Sequence, residues 1–380
     1  MEVGNILHMN TGDGELSYAK NSSLQENAIQ KASPILKQVI KDLANDQQEV
    51  DAFRIKCFKI AELGCSSSQN ALLVVSNIID TVIEVCEESK CKPPQFEVCL
   101  NDLFGNDFNS LIKLLPEFYA KLKKEKGENY RSCFVSVVPG SFYGRLFPNQ
   151  SLHLVHSSYS NHWLSQVPEG LGNNTSNIYM SKTSPPNVFQ AYGNQFLTDF
   201  TRFLQMRSQE IVRGGRMVLT IVGRSLADPT NDDSCCIWKL LAQSLMDMAK
   251  EGLVQESDIN SFNVPIYYPC QGEVMNIIQH EGSFSVDRNL NVFEVNWDPH
   301  DKDYTTNMNN DGFNNREPNY TSGKNITKVV RAISEPLLTS HFGNSIKIDE
   351  VFKRYGKHVS EHLSKKKTRY FNLVISLIKK

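Results

Sequence analysis

The residues best suited to binding chemistry follow two apolar segments of strand-like composition. Gly64 follows the segment 58–63, and Asp102 comes just after the segment 96–100. A glycine lets the backbone approach a ligand closely, and a helix that follows it directs free N–H groups at that ligand. A carboxylate at the end of the neighbouring strand can accept hydrogen bonds from both hydroxyls of a ribose. This spacing predicts a binding site for a nucleoside-type ligand.

The turn after the first predicted strand contains a single glycine. Residues 64–69 read GCSSSQ, whereas dinucleotide-binding sites need the pattern G-x-G-x-x-G to hold a pyrophosphate. A turn with one glycine is better suited to a nucleoside ligand without phosphate, such as S-adenosylmethionine. The residues therefore favour a methyltransferase, with nicotinamide-dependent oxidoreductases and other nucleoside-binding proteins as the alternatives.

A parallel sheet is needed to bring these residues together. The apolar helical pattern at 71–79 lies between the two strands, so residues 58–102 read as a βαβ unit. Further strands are predicted at 133–138, 152–156, 216–222 and 371–378, and further helices at 29–43, 195–211, 236–250, 327–342 and 348–364. The predicted fold class is α/β, with a Rossmann-like sheet of the methyltransferase type and a mainly helical cap.

The chain is predicted to divide into three parts. Residues 1–50 form an N-terminal segment that closes over the active site, 51–225 with 366–380 form the Rossmann-like core, and 226–365 form the helical cap. The stretch 298–326 is rich in Asn, Asp and Gly, which predicts a long loop inside the cap. A chain of 380 residues is long enough for one large α/β domain with such a cap.

Composition and charge argue against several classes of partner. The formal net charge of −2 at pH 7 gives no general reason to expect nucleic acid as a partner. The sequence has no run of about 20 apolar residues that would span a membrane, and its first residues lack the features of a signal peptide. The nine cysteines are scattered without zinc-type spacing, which is typical of reduced thiols in a cytoplasmic protein.

Ten short segments carry a resemblance over nearly the whole chain. They are residues 7–14 (LHMNTGDG), 17–22 (SYAKNS), 63–66 (LGCS), 100–103 (LNDL), 106–109 (NDFN), 139–148 (PGSFYGRLFP), 156–159 (HSSY), 162–168 (HWLSQVP), 261–265 (SFNVP) and 335–338 (EPLL). In order and spacing they resemble the SABATH methyltransferases, the plant group that includes salicylate and benzoate carboxyl methyltransferases and the caffeine-pathway N-methyltransferases. The resemblance implies methyl transfer from S-adenosylmethionine to a small planar metabolite.

The resemblance also implies which residues form the site. Asp102 would hold the ribose of the cofactor, and Leu103 and Phe142 would enclose its adenine. The implied cofactor-binding residues are Tyr18, Cys65, Asn70, Asp102, Leu103, Ser141, Phe142, Ser158, Tyr159 and Ser160. The implied substrate-binding residues are Gln25, Tyr159, His162, Trp163, Trp238 and Ile266. Tyr159, His162 and Trp163 are expected to act in catalysis, mainly by positioning a nucleophile that needs no strong base.

The resemblance leaves two substrate classes open. Caffeine-pathway enzymes typically carry histidine at the position of His162, where salicylate enzymes typically carry methionine, and Ile266 is similar to members that act on dimethylated xanthines. Gln25, by contrast, matches the glutamine that contacts the carboxylate in salicylate enzymes. We predict N-methylation of xanthine alkaloids, an aromatic purine substrate. The alternatives are carboxyl O-methylation of salicylate- or benzoate-type acids and a ligand-binding homologue that has lost catalysis.

Further implications concern the cofactor turn, a metal and the assembly. The family usually has Gly and Pro where this chain has Ser68 and Gln69, so the turn is expected to be less pliant and cofactor binding weaker. Some members hold a magnesium ion near the active site. The corresponding positions here are Asn174, Asn260, Phe262 (through its carbonyl) and Asn263. Asn260 stands where Asp is more usual, which removes a charge that a hard cation prefers. The resemblance also implies a homodimer.

Overall fold

The computed structural model describes residues 3–45, 55–127, 132–288, 290–301 and 320–380. Its strands are β1 (Cys57–Leu63), β2 (Gln95–Asp102), β3 (Cys133–Pro139), β4 (Leu152–Ser158), β5 (Ile211–Gly223), β6 (Phe284–Val286), β7 (Asn291–Asn296) and β8 (Arg369–Lys379). They form one sheet in the order β3-β2-β1-β4-β5-β8-β6, with β7 also paired to β8.

The sheet is parallel from β1 to β5, and β8 lies antiparallel between β5 and the pair β6 and β7. Because β1 lies between β2 and β4, the carboxyl ends of these three strands meet at one edge. Gly64, Asp102 and Ser158 stand at those ends. Ligands of open α/β sheets bind at such an edge, where the strand order reverses. The predicted α/β class with a Rossmann-like sheet is confirmed.

Helices cover both faces of the sheet. They are α1 (Ser23–Asn45), α2 (Asn70–Glu88), α3 (Phe108–Lys113), α4 (Leu115–Lys126), α5 (Pro186–Glu210), α6 (Asp232–Lys250), α7 (Glu256–Ser261), α8 (Gln271–Glu281), α9 (Tyr320–Phe342) and α10 (Ile348–Lys365). Helices α1 and α2 share one core with β1 and β2. A second core joins α5, α6, α9 and α10 to the sheet. Cover on both faces buries successive residues of the central strands, such as 60–63 of β1 and 98–101 of β2.

Helix α9 begins at Tyr320, earlier than the start predicted at 327. The loop predicted near 298–326 therefore ends earlier than expected, because residues 320–326 belong to α9. Residues 302–319 of this loop lie outside the described residues. The first turns of α9 contain Gly323, a poor helix former. However, Gly323 packs so closely on α10 that a Cβ would lie 2.0 Å from Oγ of Ser360. This packing, which local composition does not reveal, stabilises the early start of the helix.

The region predicted as a helical cap, 226–365, also contributes strands β6 and β7 to the sheet. The sequence analysis did not predict these two strands within the mainly helical cap. Most of β7 is exposed or half-buried, so it lacks the apolar run that marks a buried strand. The division of the chain into segment, core and cap stays a prediction. Within the described residues, no helix combines the length and apolar composition needed to cross a bilayer.

Candidate active site

The turn after β1 lies directly against the loop that follows β4. Gly64 adopts a φ of +77°, and its N–H donates to the Asn101 carbonyl at 2.8 Å. A Cβ on Gly64 would lie 2.0 Å from Oγ of Ser160. Glycine is therefore required here for conformation as well as for space. The turn and the loop together form one wall of a cavity at this edge of the sheet.

Asp102, the last residue of β2, fixes the other side of this turn. Its carboxylate accepts the N–H of Ser66 at 2.7 Å and the N–H of Leu103 at 2.7 Å. Burial raises the pKa of Asp102 to about 6, and the two backbone N–H groups oppose that rise. The carboxylate is therefore ionised at neutral pH, and each oxygen retains a lone pair for a further donor. It can accept the hydroxyls of a ribose.

One cavity at this edge of the sheet brings together most of the predicted cofactor residues. Those that line it are Tyr18, Asp102, Leu103, Ser141, Phe142, Ser158, Tyr159 and Ser160. Cys65 and Asn70 are buried but are not among the lining residues. Asn70 donates its side-chain amide to the Ser22 carbonyl at 3.0 Å, which ties the start of α2 to the start of α1. Direct contact of Cys65 and Asn70 with a cofactor stays a prediction.

Two hydroxyl groups in the cavity wall have no hydrogen-bond partner among the described residues. The Oγ atoms of Ser66 and Ser158 are buried, and both residues line the cavity. A buried polar group left unpaired costs roughly 1–3 kcal/mol. A ligand with its own hydroxyl and amino groups would pair them, and S-adenosylmethionine, a nucleoside joined to an amino acid, has both. The residues present therefore fit this cofactor.

The N-terminal segment forms another wall of the cavity, and Tyr18 is the one residue of this wall that the sequence analysis named. The lining residues from this segment, besides Tyr18, are Val3, Gly4, Leu7, His8 and Met9. Backbone hydrogen bonds hold the segment in place, from the N–H of Val3 to the Ser165 carbonyl at 3.2 Å and from the N–H of Asn10 to the Ala332 carbonyl at 2.8 Å. The LHMNTGDG segment at 7–14 was the signal that pointed here.

The expectation of a stiffened turn at Ser68 and Gln69 is not supported by the backbone geometry. Gln69 has a φ of −63°, which any L-residue adopts and which proline shares. Ser68 does not belong to the residues with positive φ, whereas Gly64 and Ser66 do. Glycine at position 68 is therefore not required, and the two departures from the family pattern add no backbone strain to the turn.

His162 lies at the centre of an aromatic cluster that adjoins the cavity. Its ring centroid is 5.9 Å from that of Tyr159, 6.2 Å from that of Trp163 and 5.8 Å from that of Tyr268. Tyr159 and Trp163 also line the cavity. Trp238 joins the cluster by donating its indole N–H to the Tyr268 hydroxyl at 3.1 Å. Four of the predicted substrate residues therefore lie together.

The two other predicted substrate residues are Ile266 and Gln25. Ile266 pairs with Trp163 in an isolated β-bridge beside the cluster. Gln25 lies on α1, buried, and its Oε1 has no partner among the described residues. Tyr268 is the member of the cluster that sequence reasoning missed. The pair Tyr267-Tyr268, directly after Ile266, is the signal that pointed to it.

Burial determines the charge of His162. It lowers the pKa of the imidazole to about 3, so the ring is neutral at physiological pH. Its Nδ1 is buried without a partner among the described residues. An imidazole of such low basicity is a poor general base at neutral pH. It still offers one donor and one acceptor, so His162 is better suited to recognising a substrate than to deprotonating it.

The predicted magnesium ligands are Asn174, Asn260, Phe262 and Asn263. Asn174 donates its amide to Oδ1 of Asn263 at 3.0 Å, and its own oxygen accepts Oγ of Ser184 at 2.7 Å. Oδ1 of Asn260 accepts the N–H of Ser176 at 2.7 Å. Mg²⁺ is usually bound through one or two carboxylates. These ligands are uncharged, and their amide oxygens already accept hydrogen bonds, so the set does not fit Mg²⁺.

Comparison with known proteins decides the family. Residues 4–380 match the family model described as SAM dependent carboxyl methyltransferase. The chain belongs to this family. It is 46% identical over 388 residues to probable jasmonic acid carboxyl methyltransferase 1 of Theobroma cacao, with 100% of each chain covered. It is 43% identical over 379 residues to a benzoic acid/salicylic acid carboxyl methyltransferase, number 3, of Petunia hybrida, covering 100% of this chain and 99% of the relative.

The structural comparison leads to the same class of enzyme. The fold is similar to that of a loganic acid methyltransferase with SAH, with a TM-score of 0.81, 32% identity and 98% of each chain covered. The SABATH resemblance is confirmed, and the protein is an S-adenosylmethionine-dependent methyltransferase. The two curated relatives are named as carboxyl methyltransferases, which favours the alternative substrate class over the predicted xanthines.

The affinity for the cofactor is expected to fall in acid. Because the pKa of Asp102 is about 6, protonation below that pH removes the ionised acceptor that we assign to the ribose. The Kd of S-adenosylhomocysteine, the product of methyl transfer, should rise about tenfold for each pH unit below 6. Titration calorimetry between pH 5 and 8 measures this. A Kd that stays constant down to pH 5 would contradict the assigned role of Asp102.

Proposed function

We propose that this protein is a carboxyl O-methyltransferase, which methylates a small carboxylic acid to its methyl ester. The proposal depends on similarity along the whole chain to proteins named as carboxyl methyltransferases, one for jasmonic acid and one for benzoic and salicylic acid. The family description names the same reaction. The aromatic cluster beside the cavity suits an acid whose body is a flat or ring-shaped apolar group.

The electrostatic state of His162 supports a carboxylate over a xanthine. A carboxylic acid is already ionised at neutral pH and needs no base, whereas the N–H of a xanthine must lose its proton. His162 is the titratable group at the centre of the cluster, and its pKa of about 3 makes it a poor base. A site of this kind is suited to a nucleophile that arrives deprotonated.

The proposed roles of the residues follow from their placement. When bound, S-adenosylmethionine supplies a methyl group attached to a positively charged sulfur. Asp102 accepts the ribose hydroxyls, and Leu103 and Phe142 enclose the adenine. Trp163 and Tyr159 line the cavity and adjoin His162, so they hold the substrate ring by dispersion and stacking. The main task of these residues is to hold the carboxylate oxygen in line with the bond that breaks.

Replacing Gln25 with glutamate tests the assigned carboxylate contact. The glutamate would place a carboxylate beside the carboxylate of the substrate. Two carboxylates that share a buried site repel each other, so kcat/KM for the acid should fall about 100-fold. Binding of S-adenosylhomocysteine should be unchanged, which also shows that the variant is folded. The matched control is Gln30→Glu, an exposed position on the same helix. Equal activity of the two variants would contradict the assignment of Gln25.

A substrate panel tests the proposed function. The purified protein is incubated with methyl-labelled S-adenosylmethionine and jasmonic, salicylic or benzoic acid, and in parallel with xanthine and its mono- and dimethyl forms. We expect labelled product from at least one acid and none from the xanthines. Label in the xanthines alone would overturn the proposal. Binding of S-adenosylhomocysteine with no turnover of either class would instead favour a binding protein that has lost catalysis.

The resemblance supports a homodimer, and the cysteine pattern predicts a cytoplasmic location. Both stay predictions. Light scattering on the purified protein should give twice the mass of one chain, and the mass of a single chain would exclude the dimer.

A further inference from the structure

Two cysteines lie side by side at the C-terminal end of α2. The carbonyl of Cys86 accepts the N–H of Cys91 at 2.9 Å, and the carbonyl of Glu87 accepts the N–H of Lys90 at 3.2 Å. Lys90 has a φ of +55°. These bonds and this left-handed residue define a Schellman motif, in which the side chains at the two ends of the longer loop commonly touch. Here those two residues are Cys86 and Cys91.

The Schellman motif brings the two side chains close together. The Cys91 thiol is, after burial, one of the causes that raise the pKa of Cys86. Cys86 is fully buried in the core that joins α1 and α2 to the sheet, and Cys91 is half-buried and packs against that core. The backbone motif brings the two Cα atoms close together, as a disulfide requires.

We propose that Cys86 and Cys91 form a reversible disulfide when the protein meets hydrogen peroxide. The Cys91 thiolate attacks one peroxide oxygen, the O–O bond breaks, and Cys91 becomes a sulfenic acid with release of hydroxide. The Cys86 thiol then attacks the Cys91 sulfur, the S–S bond forms and water leaves. Hydroxide takes up the proton that Cys91 lost. In total, two thiols lose two electrons and peroxide is reduced to two waters.

The order of these steps follows from exposure. Cys91 is reachable from solvent, whereas Cys86 is buried. Burial, and then the neighbouring Cys91 thiol, raises the pKa of Cys86 to about 12, so Cys86 is a thiol at neutral pH and reacts second. Cys65 and Cys133 are buried as well, and burial raises the pKa of each.

Peptide mapping of the full-length protein tests the proposal. After treatment with one equivalent of hydrogen peroxide, free thiols are alkylated and the protein is digested with trypsin. Cys86 and Cys91 fall on the separate tryptic peptides 60–90 and 91–113. We expect these peptides joined by a bond that a reducing agent breaks. A sulfinic acid on Cys91 with a free Cys86 thiol, or no joined peptides at all, would overturn the proposal.

Variants identify which cysteines are joined, because the two peptides also contain Cys65 and Cys99. Cys91→Ser and Cys91→Ala should both abolish the joined peptides. The control Cys57→Ser, which changes another half-buried cysteine, should retain them. Joined peptides that persist in the Cys91 variants would assign the bond to another pair and overturn the proposal. The readout is chemical, so its result is independent of the substrate of the enzyme.

Discussion

Replacing Gly64 with alanine is expected to weaken the binding of S-adenosylhomocysteine, and to slow methyl transfer, by about 100-fold or more. The new Cβ would lie 2.0 Å from Oγ and 2.5 Å from Cβ of Ser160, a separation that non-bonded atoms do not adopt. The left-handed φ of +77° adds strain of about 1–2 kcal/mol for any L-residue with a side chain. The turn must therefore move away from the loop after β4, and the cavity wall opens. Titration calorimetry measures the effect.

Three further variants separate the steric cause from backbone strain. Gly12 has a φ of +79°, nearly the same as Gly64, but a Cβ there would meet no atom within 4 Å. Gly12→Ala should therefore retain cofactor binding. The double variant Gly64→Ala with Ser160→Gly removes the atoms that clash, and it should bind S-adenosylhomocysteine nearly as well as Ser160→Gly alone. If Gly64→Ala bound as tightly as Gly12→Ala, the close approach would have no role in the site.

Asp102→Asn is expected to raise the Kd of S-adenosylhomocysteine about 100-fold, because hydrogen bonds to a charged group contribute about 1.5–3 kcal/mol each. The carboxylate accepts N–H groups from Ser66 and Leu103 with its two oxygens. An amide replaces one acceptor by an NH₂ group that faces a backbone donor, so one of these N–H groups loses its partner. The variant should also lose the ionised acceptor that we assign to the ribose.

The matched control for Asp102→Asn is Glu97→Gln on the same strand. Glu97 forms a partly exposed ion pair with Lys59 at 2.7 Å, and such pairs contribute little to stability. Glu97→Gln should therefore bind the cofactor like the unaltered protein. The Asp102→Asn variant should also show no change of Kd between pH 5 and 7. A strong pH dependence that persists in this variant would mean that another group titrates.

Much of the cofactor site was predictable from the sequence. The single-glycine turn and the acid at the end of the next strand identified Gly64 and Asp102, because parallel strands bring their carboxyl ends to one edge. The structure places both there, with Asp102 accepting backbone N–H groups of the turn. What the sequence did not reveal is the contact between Gly64 and Ser160, since it joins residues far apart in the chain.

Other features depend on long-range packing and escaped prediction. The early start of α9 depends on the contact of Gly323 with Ser360 of α10, which outweighs the poor helix propensity of glycine. The stiffness expected at Ser68 and Gln69 came from residue types alone, whereas strain depends on φ. The prediction of a xanthine substrate depended on the presence of His162. Because this histidine is buried, it is neutral and a poor base, which its residue type alone does not reveal.

The atom that receives the methyl group tests the central claim most directly. Labelled product is formed from the preferred acid with methyl-labelled S-adenosylmethionine, purified and treated with mild alkali. A methyl ester on a carboxyl oxygen hydrolyses and releases the label as methanol, whereas a methyl group on ring nitrogen does not. We predict that the label is recovered as methanol together with the free acid. Label that stays attached to the product after this treatment would contradict carboxyl methylation.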